Sequence, residues 1–127
     1  ILRTADAFEI PVVLTNGCAD PYSDKTVRAS MGAVFRTQPQ IAELEEVLHL
    51  CREQEIPLAA TALSPAARDI REVPLAGSIA VIGSEGQGIC KELLDASQMQ
   101  VIIPMSPRCE SLNAAVAAAL VMWQMRS

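Results

Sequence analysis

The sequence predicts an α/β fold: a parallel sheet with helices on both faces. Three observations predict it. Short apolar runs alternate with helix-like segments along the chain, a pattern that builds parallel sheets. Half of the 127 residues are hydrophobic but only 3% are aromatic, so the core is built from Ala, Val, Ile, Leu and Met. Two loops, one polar and one glycine-rich, each join a strand-like run to a helix-like one. A chain of this length fits one domain with its own core.

The elements follow in order. Leu2 to Phe8 reads as the end of a helix, and Pro11 to Thr15 as a short apolar strand. Asp20 to Asp24 is turn-rich, and Ser23 or Asp24 caps a helix from Lys25 to about Met31. Gly32 to Arg36 reads as a short strand. Ile41, Leu44, Val47, Leu48 and Cys51 recur at helical spacing, with Glu43, Glu45 and Glu46 mostly outward. Pro57 to Leu63 is a strand, and Ala66 to Ala76 a polar connection. A strand from Ile79, a helix from Ile89, a strand from Gln100 to Ile103 and an alanine-rich last helix complete the set. There is no internal repeat.

The two loops carry the chemistry. The strand end Ile103-Pro104-Met105 runs into a polar loop holding Glu110, Ser111, Leu112 and Asn113, and the last helix follows at once. Backbone N–H groups are unpaired at a helix start and the dipole there is positive. Ser and Asn also serve as plain caps at such a place. The second loop, Ile82-Gly83-Ser84-Glu85-Gly86-Gln87-Gly88, follows the apolar run from Ser78. Its glycines permit close backbone approach to a ligand. It is not G-x-G-x-x-G, and no Gly-Lys-Ser/Thr follows, so it departs from both common phosphate cradles. Alone it also reads as a tight turn with a solvated Glu85.

Taken together and in order, Ile1-Leu2-Arg3-Thr4-Ala5-Asp6-Ala7-Phe8, the glycine loop, and Ile103-Pro104-Met105 with Glu110-Ser111-Leu112-Asn113 resemble the SpoU (TrmH) family of RNA 2′-O-ribose methyltransferases, in the SPOUT class. Lys25 to Phe35 resembles that family's stretch between its first and second motifs. The resemblance covers nearly the whole chain. It implies a C-terminal deep trefoil knot, through which a slim helix rich in Ala114, Ala115, Ala117, Ala118 and Ala119 passes. It also implies that residues 1–127 form a SpoU-type domain lacking its first strand and any N-terminal RNA-binding domain. The family's first motif begins with an Asn and a Gly ahead of the Arg, and this sequence opens at Ile1.

The implied reaction moves a methyl group from S-adenosylmethionine to a ribose 2′-OH of tRNA or rRNA. The implied catalytic residues are Arg3, Glu85, Ser111 and Asn113. Arg3 holds the acceptor hydroxyl or its phosphate; as a base it would need an unusual environment, because guanidinium is nearly always protonated. Glu85 orients Arg3 or the loop backbone. Ser111 and Asn113 orient the loop and the substrate. Asn16, Lys25 and Glu110 are weaker candidates. The implied cofactor residues are Thr61, Ala62, Leu63, Ile82, Gly83, Ser84, Glu85, Gly86, Gly88, Ile103, Pro104, Met105, Ser111 and Leu112. The family implies a homodimer, with Met122, Trp123 and Met125 as interface candidates or as ordinary core residues. The competing reading is a non-catalytic RNA-binding or dimerisation module that keeps the fold. A different nucleotide-binding enzyme would leave the loop from Glu110 to Asn113 unexplained.

Charge and cysteines set further bounds. The net charge is −5, which argues against strong unaided nucleic-acid binding. Clustering of Arg3, Lys25, Arg28, Arg36 and Arg108, or a separate RNA-binding domain, resolves the tension. Cys18, Cys51, Cys90 and Cys109 show no Cys-x-x-Cys pairing, and His49 is the single histidine. A structural metal is therefore not expected. No apolar run approaches the roughly 18 residues of a membrane span, and no basic leader with an apolar stretch opens the chain. The expectation is a cytoplasmic protein with reduced thiols.

Overall fold

The computed structural model describes residues 1–15, 39–62, 64–83, 89–106, 108 and 114–126. It divides the chain into two compact units, Ile1–His49 and Leu50–Ser127.

The first unit opens with helix α1, Leu2–Phe8, which buries Leu2 and Ala5. Glu9 ends it in the left-handed region at φ 56°. The N–H of Ile10 then donates to the Ala5 carbonyl at 2.9 Å, which satisfies an orphan helix-end carbonyl. Strand β1, Val13–Leu14, pairs in parallel with β2, Gln40–Ile41. Ile41 therefore belongs to a strand, not to the helix its spacing suggested. Helix α2 spans Leu44–Glu53, and the division between the units falls within it. Glu43, Glu45 and Glu46 are exposed, as the spacing predicted. The helix from Lys25 and the strand from Gly32 lie outside the described residues.

The second unit is built on a parallel four-stranded sheet in the order β4-β6-β3-β5. Its strands are β3, Leu58–Thr61; β4, Arg68–Asp69; β5, Ile79–Val81; and β6, Met99–Ile102. Helices α3, Lys91–Ala96, and α4, Ala114–Arg126, follow β5 and β6 respectively. Strand β3 is inner and buried on both faces: Leu58 is 1% exposed, and Ala59 and Ala60 are 0% exposed. Parallel strands covered on both sides read as continuous apolar runs rather than alternating ones, as Pro57 to Leu63 does. Small Ala59 and Ala60 let flanking side chains close over the strand.

The start of β3 is held by Gln98. Its Oε1 accepts from the Leu58 N–H at 2.8 Å, and its own N–H donates to the Leu58 carbonyl at 3.1 Å. The register follows: Ala59 lies opposite both Ala80 and Met99. On that face Ala59, Val101, Ile70, Val73, Leu75 and Val121 form the core, with Met125 packed against it. Met122 is buried as well. The structure thus assigns Met122 and Met125 to packing, while Trp123 is 62% exposed.

One expectation is corrected here. Ala66 to Ala76 is not merely a polar connection. It contributes edge strand β4, a 3-10 turn over Ile70–Glu72, and three core residues in Ile70, Val73 and Leu75. The apolar residues are spaced by three and two, which matches neither a helix nor a strand period. The chain then turns at Gly77, whose φ of 78° suits glycine. Ser78 closes the turn by donating its hydroxyl to the Leu75 carbonyl at 2.6 Å. Among the described residues no helix is long and apolar enough to cross a membrane.

Leu75→Ala is expected to lower unfolding free energy by about 2–5 kcal/mol, because it empties a closed site. Lys91→Ala, exposed at the start of α3, should change it by less than about 0.5 kcal/mol. Urea unfolding followed by circular dichroism measures both. Equal losses in the two variants would contradict the core described here.

Candidate functional site

Adjacent parallel strands send their C-terminal ends to one edge, and ligands of open α/β sheets bind there. In the second unit, β5, β3 and β6 are such neighbours. Their common edge carries Ile82–Gly83 after β5, Thr61–Ala62 at the end of β3, and Ile103–Met105 after β6. The hydroxyl of Thr61 donates to the Val81 carbonyl at 3.0 Å. The N–H of Ala62 donates to the Val101 carbonyl at 3.1 Å. The exit of β3 is therefore tied to both neighbours at the point where their loops begin. Ile82, Gly83, Ile103 and Met105 are half-buried, and Pro104 is exposed.

The loop leaving β3 is anchored as well. Ser64 donates its hydroxyl to Gln100 Oε1 at 2.7 Å, and accepts from the Ala66 N–H at 3.1 Å. Neither Ser64 nor Gln100 was singled out from the sequence. A serine in a loop and a glutamine in a strand carry no pattern until the fold places them together.

The predicted residues therefore divide into three groups. Thr61, Ala62, Ile82, Gly83, Ile103, Pro104 and Met105 gather on one edge. Arg3 is exposed on α1, in the other unit. Leu63, Ser84, Glu85, Gly86, Gly88, Ser111, Leu112 and Asn113, with Asn16, Lys25 and Glu110, lie outside the described residues. So do Arg28 and Arg36. Arg108 is exposed, and its N–H donates to the Ser106 hydroxyl at 3.3 Å.

Titratable groups add two local facts. Burial pushes the Cys51 thiol up, against a smaller opposing pull from Arg52. Hydrogen bonds from the Arg71 side chain and backbone hold the Asp69 carboxyl below its ordinary value. Any stability from Asp69 is thus present above the usual carboxylate range and is lost as pH falls through its lowered value. Cys90, just ahead of α3, is exposed. Among the described residues there is no group of three or more His, Cys, Asp or Glu side chains placed to hold a metal ion.

Comparison with known proteins places the chain in a family. The profile of the SpoU rRNA Methylase family matches residues 1–123. An uncharacterized tRNA/rRNA methyltransferase of Synechocystis is 36% identical over 129 aligned residues, covering 99% of this chain and 47% of its own length. A 23S rRNA (guanosine(2553)-2′-O)-methyltransferase of Bacillus subtilis is 33% identical, covering 99% of this chain and 51% of its own length. The chain thus spans about half the length of these curated relatives. A crystal structure of an AdoMet-bound rRNA methyltransferase from Sinorhizobium meliloti superposes with a TM-score of 0.86 at 30% identity, over 98% of this chain and 49% of the other.

Thr61→Val keeps the shape of the side chain and removes the bond to Val81. It should cost about 1 kcal/mol of stability, read as a lower urea midpoint with an unchanged slope. Thr61→Ser should stay within about 0.5 kcal/mol of the parent. A valine variant as stable as the parent would show that the bond does not hold the edge.

Proposed function

This chain belongs to the SpoU rRNA Methylase family, and we propose that it transfers a methyl group from S-adenosylmethionine to a ribose 2′-OH of tRNA or rRNA. The observation that carries the proposal is the convergence of Thr61–Ala62, Ile82–Gly83 and Ile103–Met105 on the C-terminal edge of three adjacent parallel strands. Relatives over this same stretch are named for 2′-O-methylation of RNA, and one similar structure is titled as AdoMet-bound.

The residues on the edge suit such a cofactor. Half-buried Ile82, Ile103 and Met105 match the faces of an adenine ring, and strand-end backbone groups match its polar edge. When bound, S-adenosylmethionine supplies an electrophilic methyl on a sulfonium, so neither a metal nor a covalent enzyme intermediate is needed. The protein's part is orientation and electrostatics. Thr61, Ala62, Leu63, the stretch from Ile82 to Gly88 and the stretch from Ile103 to Met105 hold the cofactor, with Ser111 and Leu112. Arg3 anchors the phosphate beside the acceptor ribose, a role suited to a permanently charged planar fork. Glu85 fixes the glycine loop. Ser111 and Asn113 orient the acceptor.

The reading includes a homodimer and a cytoplasmic setting. Val116, Leu120 and Trp123 are exposed and fall at i, i+4 and i+7, one face of α4. That apolar face supports self-association. The RNA partner and the knot rest on the family.

Calorimetric titration of the purified chain with S-adenosylmethionine and S-adenosylhomocysteine is expected to show saturable binding near one per chain, with none for ATP. Arg3→Ala should leave cofactor affinity within about threefold, yet lower methyl transfer to unmodified rRNA or tRNA transcripts by about 100-fold or more. A folded chain that binds neither adenosyl compound would overturn the catalytic reading and favour a module that keeps the fold without the chemistry.

A further inference from the structure

One cation in the second unit is held differently from an ordinary surface arginine. Arg71 sits in the 3-10 turn directly after β4, and its side chain is 75% exposed. Asp69 nonetheless grips it at three points. Asp69 Oδ1 accepts from the Arg71 backbone N–H at 2.9 Å and from Nε at 3.1 Å, while Oδ2 accepts from Nη2 at 2.6 Å. Asp69 is also the cap of the turn that carries Arg71. The carboxylate thus fixes the Nε side of the guanidinium, and among the described residues Nη1 has no hydrogen-bond partner.

The position gives this geometry a use. Asp69 lies in register with Ile102, so Arg71 leaves the sheet on the same C-terminal edge as Ile103–Met105, from the neighbouring strand. An exposed ion pair contributes little to stability. A planar fork fixed in advance loses less conformational freedom when it meets an oxyanion.

We propose that Arg71, positioned by Asp69, contacts a backbone phosphate of the RNA substrate beside the β6 side of the cofactor edge. This rests on the methyltransferase reading and adds a substrate-positioning residue to it. An RNA phosphodiester is the chemistry that fits: a permanently anionic, fork-shaped acceptor presented to an exposed guanidinium. In a chain of net charge −5, placement of single cations matters more than their sum.

The test uses the full chain, with a fluorescein-labelled RNA hairpin as probe and anisotropy read from about 50 to 200 mM KCl. Arg71→Gln is expected to weaken RNA binding about fivefold at low salt. It should also flatten the slope of log affinity against log salt by about 0.7–0.9. Arg71→Lys should keep the slope and lose part of the affinity. Arg52→Gln, an exposed arginine on α2, should change neither. Cofactor affinity, measured by calorimetry, should be the same in all four proteins. An unchanged salt slope in Arg71→Gln, an equal loss in Arg52→Gln, or no binding of the hairpin by the parent chain overturns the proposal. If only the cofactor fails to bind, the methyltransferase reading fails, while the RNA arm still decides the role of Arg71.

Discussion

The second unit depends on the burial of one short strand. Leu58, Ala59 and Ala60 are closed off from solvent on both faces, and β5 and β6 take their register from them. Desolvating these backbone groups is tolerable only because each finds a partner. Gln98 shows the constraint most plainly, since its side chain and its own N–H both bind Leu58. Once β3 is placed, the ends of three strands reach one edge, and the Thr61 hydroxyl and Ala62 N–H hold them level. Among the described residues, Thr61, Ala62, Ile82, Gly83 and Ile103 to Met105 share that edge because of packing several residues away.

Parts of this were legible in the sequence for physical reasons. Strands β3, β5 and β6 are apolar runs of strand length bounded by turn residues, and the last helix is a long run of good helix formers. Other parts were not. Ile70, Val73 and Leu75 are core residues in a segment with no period, because a two-residue edge strand and a 3-10 turn are each too short to show one. Ile41 fits a helical stripe by spacing, yet Pro39 and the pairing with Leu14 commit it to a strand. Pairing between distant segments leaves no local trace.

Helix ends tell a similar story. Both α1 and α2 stop at a glutamate in the left-handed region, Glu9 at φ 56° and Glu55 at φ 54°. Glycine is the usual signal for that conformation, and a side chain there costs about 1 kcal/mol. The N–H of Ile56 donates to the Cys51 carbonyl at 3.0 Å, which offsets part of that cost after α2. On the site side, the strand ends could be placed in advance because motif order located them. Ser64, Gln100 and the Asp69–Arg71 fork could not, because each works through a partner that only the folded sheet supplies.

The charge balance raises the sharper question of how an acidic chain would meet a polyanion, as the proposed function requires. Summed charge governs long-range attraction, which salt screens within roughly 10 Å. Contact is governed instead by the few cations that reach phosphate, and by how much order each must acquire on binding. Asp69 cancels the charge of Arg71 at a distance, yet it leaves one edge of the guanidinium presented at the surface. For the proposed phosphate contact, a carboxylate that opposes RNA at a distance thereby turns a flexible cation into a fixed donor. In the proposed role this arrangement would favour specificity: a weak overall field would hold non-target RNA loosely, while a phosphate at the right place would meet a donor already aligned. Acidity and RNA recognition are compatible when cations are positioned rather than accumulated.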